Sequence, residues 1–243
     1  MISALIFSAS LATKMGVSVS ATPEATGIRL HVAGKASHAA NPHEGINANT
    51  ALLKILSELP LAECESTAAL RALSACFPHG DNYGAAVGIA QEDEISGRLT
   101  MALTMMEADE TGMQMRLDSR VPICATQENC ADILTARLTA EGFAVEGGMQ
   151  PAHHTPADTP FVQTLLRCYE THTGKPGECH AMGGGTYVHD IPGGVAFGAE
   201  MPGFVSNLHG ANERIRVDDL LTACKIFAQV IAELCCDPDG ETA

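Results

Sequence analysis

The chain has 243 residues, 46% of them apolar and 18% charged, with 14 basic against 29 acidic side chains and a formal charge of −15. That is ample for a buried core in one large domain or two small ones, and it excludes collagen-like, coiled-coil and disordered classes. An acidic balance of this size repels a phosphate backbone, so no nucleic-acid partner is expected.

Residues 2–15 read as a helix, with Ile2, Leu5, Ile6, Ala9, Leu11 and Ala12 apolar and Gly16 as a cap. Val17 and Val19, then Ile28–Val32, alternate as strands around a turn at Thr22–Gly27. Asn47–Leu59 is a clear helix whose stripe is Ala48, Ala51, Leu52, Ile55, Leu56 and Leu59, stopped by Pro60. Gly97–Met106 and Met113–Val121 are predicted as paired strands around the acidic loop Glu107–Gly112. Thr126–Glu141 is a second helix, capped by Gly142 and followed by a strand at Phe143–Gly147.

The run Gly147-Gly148-Met149-Gln150-Pro151 marks a boundary, which divides the chain into residues 1–149 and 150–243. Beyond it, Thr159–Thr173 is helical with Pro160 in its first turn and Gly174 at its end. Cys179–Met182 and Val195–Phe197 are predicted as strands, and Asp218–Cys236 as the last helix. Strands alternating with helices indicate an α/β or α+β architecture. For the first part, the order predicts two helices on one face of an antiparallel sheet.

The nine cysteines are irregularly spaced, with no Cys-x-x-Cys pair and with Cys235 and Cys236 adjacent, so reduced thiols are expected rather than a zinc ribbon or a disulfide framework. The opening segment has a short apolar core with no basic residue before it, a poor secretory signal. No run of about 18 apolar residues occurs, so no membrane partner is expected and a cytoplasmic protein is the default.

Three segments resist a purely structural account. GKASHAANPHEGINA, residues 34–48, lies between a strand and a helix and presents His38 and His43 near the helix N-terminus. An imidazole there can donate a hydrogen bond to a developing oxyanion; an idle surface loop is the plain alternative. MGGGTYVHDIPGG, residues 182–194, carries three glycines that allow close backbone approach to a ligand or make a tight turn. It lacks both the GxGxxG spacing and the Lys-Ser/Thr of a P-loop, which disfavours nucleotide binding. MPGFVSNLHGANERIRVDDL, residues 201–220, places His209 as a metal-ligand candidate with Glu213 as an outer-shell acceptor, although one histidine alone makes no zinc site. His153-His154 is a further ligand source, weakened by adjacency.

Together, in order and spacing, these segments resemble the aminoacylase/carnosinase family of dinuclear zinc exopeptidases, nearest the peptidase V-like branch of Xaa-His-type dipeptidases. GKASHAANPHEGINA looks like the lid signature Gly-Lys-x-x-His-x-x-x-Pro-x-x-Gly-x-Asn-Ala, and MRLDSRVP, residues 115–122, like the Arg-x-Pro strand leaving the lid. HHTPADTPFVQTLLRCYETHTG, GGGTY, VAFGAEMPG and NLHGANE look like the carboxy-terminal part of the catalytic domain.

The resemblance implies roles residue by residue. His38 matches the lid histidine that stabilises the tetrahedral intermediate. Arg120 matches the arginine that grips the substrate's terminal carboxylate, for which a planar guanidinium is suited; an ion pair with Asp118 or Glu107 is the alternative. Gly184, Gly185 and Thr186 match the substrate loop, and His209 the carboxy-terminal zinc ligand. Residues 1–149 then look like a partial lid, and 150–243 like the carboxy-terminal part of an α/β zinc-peptidase catalytic domain. The implied reaction is hydrolysis of a dipeptide substrate by water activated at two zinc ions.

The family's remaining ligands, a His-x-Asp motif, a bridging aspartate and a Glu-Glu pair holding the general base, belong to an amino-terminal half, and neither a His-x-Asp pair nor a Glu-Glu pair is read in this chain. The chain by itself is therefore expected to be inactive, with the missing amino-terminal half as its partner. Val188 and His189 stand where the branch usually has Ala-Arg. An aminoacylase or amidohydrolase of the same family, and a non-catalytic assembly module derived from the lid, are the alternatives.

Overall fold

A computed structural model of the chain describes residues 10–198, 201–207 and 211–236. It is an α+β structure of five helices of nine or more residues and three two-stranded antiparallel sheets among those residues. The chain divides into two compact units, one of Met1–Ala152 with Ala181–Gly184, the other of His153–His180 with Gly185–Ala243.

In the first unit, residues 10–15 are helical and lead into β1, Ser18–Glu24, which pairs with β2, Gly27–Ala33, in a register that sets Val19 opposite Val32. These two valines pack with Ala12, Val17 and Ala51 in a small core. Helix α1, Ala48–Glu58, buries Ala51 in that core and Leu53 in the main one. The single stripe predicted for this helix therefore misses Leu53, which is fully buried because the helix has apolar neighbours on two sides. Helix α2, Glu65–Cys76, was not predicted; it buries Leu73 and Cys76, with Phe77 just beyond its end. Its start is held by the Cys64 N–H, which donates to Thr67 Oγ1 at 3.0 Å.

Gly97–Arg98 does not begin the long hairpin. It forms β4, paired with β3, Glu92–Asp93, as a separate two-residue ladder. The reason is local: the Asp93 carboxylate accepts from Ile95 N, Ser96 N and Ser96 Oγ, closing a turn on itself. β5, Thr100–Ala108, and β6, Met113–Arg120, form the main hairpin from Thr100 opposite Arg120, with a register shift between Leu103 and Met105. Helix α3, Asp132–Ala140, follows a π-helical turn at Gln127–Ala131 capped by Thr126. The strand predicted at Phe143–Gly147 is absent, although Phe143 packs on the main core. The predicted single sheet with two helices is thus three short sheets with three helices.

The second unit holds α4, Pro160–Thr173, capped by the Thr159 hydroxyl and ended by Gly174 at φ 67°, and α5, Val217–Cys235. They meet through Leu165, Cys168, Ile226 and Val230, and Met201, Val195 and Phe197 pack on the same cluster. The predicted strands Cys179–Met182 and Val195–Phe197 form no ladder. Both lack a neighbouring strand among the described residues, and a strand exists only by pairing. No helix among those residues is long and apolar enough to cross a membrane. All nine cysteines are free.

Candidate functional site

The loop between β2 and α1 is closed at its base by two backbone bonds, Lys35 N–H to Ile46 O at 3.0 Å and Ile46 N–H to Lys35 O at 2.9 Å. Gly34 makes that closure possible, since a Cβ there would stand 2.0 Å from Ile46 O. At the far end, Asn47 Oδ1 accepts from Asn49 N and Thr50 N and so caps α1, while its Nδ2 donates to Leu103 O at 2.9 Å. Asn49 Nδ2 donates to the carbonyls of Leu103 and Thr104, where the β5 register shifts. The loop is therefore anchored on both sides.

His38 projects from this loop. Its Nδ1 accepts from the Ala40 N–H at 3.2 Å, so in the neutral ring the proton sits on Nε2. That tautomer makes Nε2 the hydrogen-bond donor, the form needed for an oxyanion. His43 lies in the 3-10 turn Pro42–Glu44 of the same loop.

Arg120 closes β6. Its Nη2 donates to Asp118 Oδ2 at 3.0 Å, and Nε lies 2.9 Å from Asp118 Oδ1 at an angle that leaves its N–H unaligned with that oxygen. The ion-pair alternative with Asp118 is thus present in the structure. The same arginine and the His38 loop converge on Gly183: a Cβ built there would lie 3.1 Å from Ala40 Cβ and 3.2 Å from Arg120 Cγ. The segment Ala181–Gly184 belongs to the first unit, so Gly184 shares a unit with His38 and Arg120.

Gly185 and Thr186 fall in the second unit. The Thr186 hydroxyl accepts from Val188 N and starts the 3-10 turn Tyr187–Asp190, with its N–H returned to His189 Nδ1. In the same unit Gly194 O accepts from His153 Nε2 at 2.6 Å and Thr155 Oγ1 at 2.8 Å. His153 and His189 stand 5.6 Å apart, ring to ring. This tie was not legible in the sequence, where His153 was weighed only as a ligand; the bond to a carbonyl commits its Nε2 as a donor.

His209 lies outside the described residues. Among the described residues on either side, the Arg214 N–H donates to Ser206 O at 2.9 Å, and Asn207 and Asn212 have φ 56° and 57°, a region asparagine enters more readily than most residues. Among the described residues no three His, Cys, Asp or Glu side chains are grouped to hold a metal, so these residues do not supply a zinc site.

One correction concerns the ligand series. A His-x-Asp triplet does occur, His79-Gly80-Asp81, and the structure commits it to the fold. His79 Nδ1 lies 2.9 Å from Thr50 Oγ1 and its Nε2 3.3 Å from Met15 O. Asp81 accepts from the backbone of Tyr83, Ala85 and Ala86.

Residues 21–125, which hold the His38 loop and the β5–β6 hairpin, match the profile of the peptidase dimerisation domain. The chain also aligns over 84% of its length, at 34% identity, with YtjP of Bacillus subtilis strain 168, named as a candidate dipeptidase. Along most of its length the chain is thus similar to proteins named as dipeptidases. The Beta-Ala-Xaa dipeptidase of Lactobacillus delbrueckii subsp. lactis is 31% identical over 85% of the chain, and a dipeptidase-named protein of Staphylococcus aureus strain USA300 is equally similar. The chain spans 44% of the length of each of these relatives.

Proposed function

We propose that the chain is the carboxy-terminal half of a zinc-dependent dipeptidase, with residues 1–149 as part of its lid and 150–243 as the last part of its catalytic domain. The observation that carries this reading is the similarity to dipeptidase relatives along 84–85% of the chain. In this reading His38 Nε2–H donates to the oxyanion that develops on the scissile carbonyl. Arg120 exchanges its contact with Asp118 for the terminal carboxylate of the dipeptide. Gly184, Gly185 and Thr186 line the substrate, and His209 is the one zinc ligand this chain contributes. The general base and the other ligands come from the rest of the enzyme, so no step through the metal is derived from the residues present. The match of residues 21–125 to a dimerisation domain supports a second role for the first unit, pairing with another copy.

The test is a chimera in which this chain replaces its matching segment in YtjP. It should hydrolyse a β-alanyl dipeptide, and His38→Ala should lower kcat by about 10²- to 10³-fold, the usual cost of losing one oxyanion donor. The zinc content should stay as before. A folded chimera without hydrolysis, or metal loss in the His38 variant, would overturn the assignment.

A further inference from the structure

The loop that carries Thr186 has little packing of its own. Tyr187 is 86% exposed and Ile191 51%, and the 3-10 turn Tyr187–Asp190 buries no residue. A Cβ added at Gly185 or Gly193 would meet nothing within 4 Å. A segment with so little apolar burial has little to offset the entropy of keeping one conformation. Its order rests on hydrogen bonds.

Those bonds form a continuous series. Thr186 O accepts from His189 N–H at 3.1 Å, Val188 O from Ile191 N–H at 3.0 Å, and Ile191 O from Gly194 N–H at 2.9 Å. At one end His189 Nδ1 accepts from the Thr186 N–H; at the other Gly194 O takes both His153 Nε2–H, at 2.6 Å, and the Thr155 hydroxyl, at 2.8 Å. Among the described residues, the hydrogen bonds that join 185–194 to the rest of the second unit all end on that one oxygen. His153 also lays its ring beside His189, 5.6 Å away. Two side chains, two residues apart, are thus committed to a single carbonyl. Gly194 is only half-buried, and water would satisfy its oxygen without ordering any side chain. Water would not fix where the loop ends.

Resting on the peptidase reading above, in which Thr186 lines the substrate, we propose that His153 and Thr155 are positioning residues for that reaction. They hold the Gly194 carbonyl and, through the bonded series from Gly194 to Ile191 to Val188, keep Thr186 in place for the dipeptide. Neither touches the reacting atoms. Because Gly194 O only accepts, His153 acts through its Nε2–H, so what the position requires is a donor at that atom rather than an imidazole as such. With this tie removed, the substrate itself would have to order the loop. The cost then falls on binding and not on the chemical step.

The experiment has two arms. In the chain alone, exchange of the His189, Ile191 and Gly194 amides should quicken about fivefold or more in His153→Phe, which keeps a ring beside His189 and lacks the donor, and likewise in Thr155→Val. In the YtjP chimera each of these variants should raise KM about tenfold, the scale of one hydrogen bond, with kcat within about twofold and zinc content unchanged. His153→Gln, whose amide nitrogen reaches the place of Nε2, and Thr155→Ser should restore wild-type behaviour in both arms; His153→Asn, one carbon shorter, should not. Both side chains are half-buried, and circular dichroism checks that every variant keeps its helices. Loop exchange unchanged in His153→Phe and Thr155→Val, equal behaviour of the Gln and Asn variants, or a fall in kcat at constant KM would overturn the proposal. Faster loop exchange in these variants beside a folded chimera that hydrolyses no β-alanyl dipeptide would leave the tie in place and overturn the peptidase reading.

Discussion

Arg120 and Asp118 sit two residues apart on one face of β6, and their contact holds the guanidinium in place. The pair is half-buried, its side chains 33% and 32% exposed, which puts it toward the upper end of the roughly 0–1 kcal/mol typical of surface pairs, a modest cost for the exchange proposed for the substrate carboxylate. In the YtjP chimera, Asp118→Asn should shift stability by less than about 1 kcal/mol and lower KM. Arg120→Lys should raise KM, since an ammonium cannot offer the bidentate fork. Steady-state kinetics with urea unfolding separates the two effects, and a KM indifferent to both changes would remove Arg120 from the substrate site. At Asp93 the chemistry is structural. Hydrogen bonds from the Ser96 N–H and hydroxyl, with those from Cys124 and Ile95 N–H, hold its carboxyl well below the usual carboxylate range. A group depressed in the folded state stabilises above its unfolded value, about 4, and loses that effect as pH falls toward the folded one. Asp93→Asn should therefore lower Tm at pH 7, with the gap to wild type narrowing below about pH 4. A gap independent of pH would show that the charge is not involved.

At the scale of elements, Asn47 does two tasks with one side chain, capping α1 through Oδ1 and holding β5 through Nδ2. Asn47→Ala should cost roughly 1–3 kcal/mol, a lost cap plus a lost carbonyl partner, measured by urea denaturation. Gly34→Ala should be at least as damaging, because a methyl 2.0 Å from Ile46 O forces the base of the His38 loop apart. In the chimera it should reduce kcat along with stability, whereas Gly27→Ala, with open space around it, should do neither. The Gly-x-Asn-Ala end of the loop motif thus has a mechanical meaning: it fixes where the imidazole stands.

For the whole molecule, the two units are unequally supported. The first centres on twelve buried core residues, including Leu53, Leu73, Ile89 and Leu99, whereas the main cluster of the second has five. Leu53→Ala should cost roughly 2–5 kcal/mol. Native-state amide exchange should be slowest in β5, β6 and α1 and distinctly faster in α4 and α5, in line with local core size. Equal protection in both units would show that the second is already complete by itself.

What was legible from sequence alone was whatever depends on near neighbours along the chain. The helices at 48–58, 160–173 and 217–235 follow from apolar stripes with cap residues such as Asn47, Thr159 and Gly174, and the hairpins follow from alternation. The resemblance to dipeptidases was legible because it rests on residue types at fixed spacings along the chain. Tertiary structure decided the rest. Leu53 is buried because α1 has a second neighbour, Gly97–Arg98 leaves the long hairpin because Asp93 closes a turn, and helix 65–76 stands where no stripe was read. The segment at 195–197 has the in-out alternation of a strand and no ladder, because strand pairing needs a partner that alternation along one segment cannot specify. For the same reason the convergence of Ala40, Arg120 and Gly183, far apart in sequence, emerged only from the folded chain.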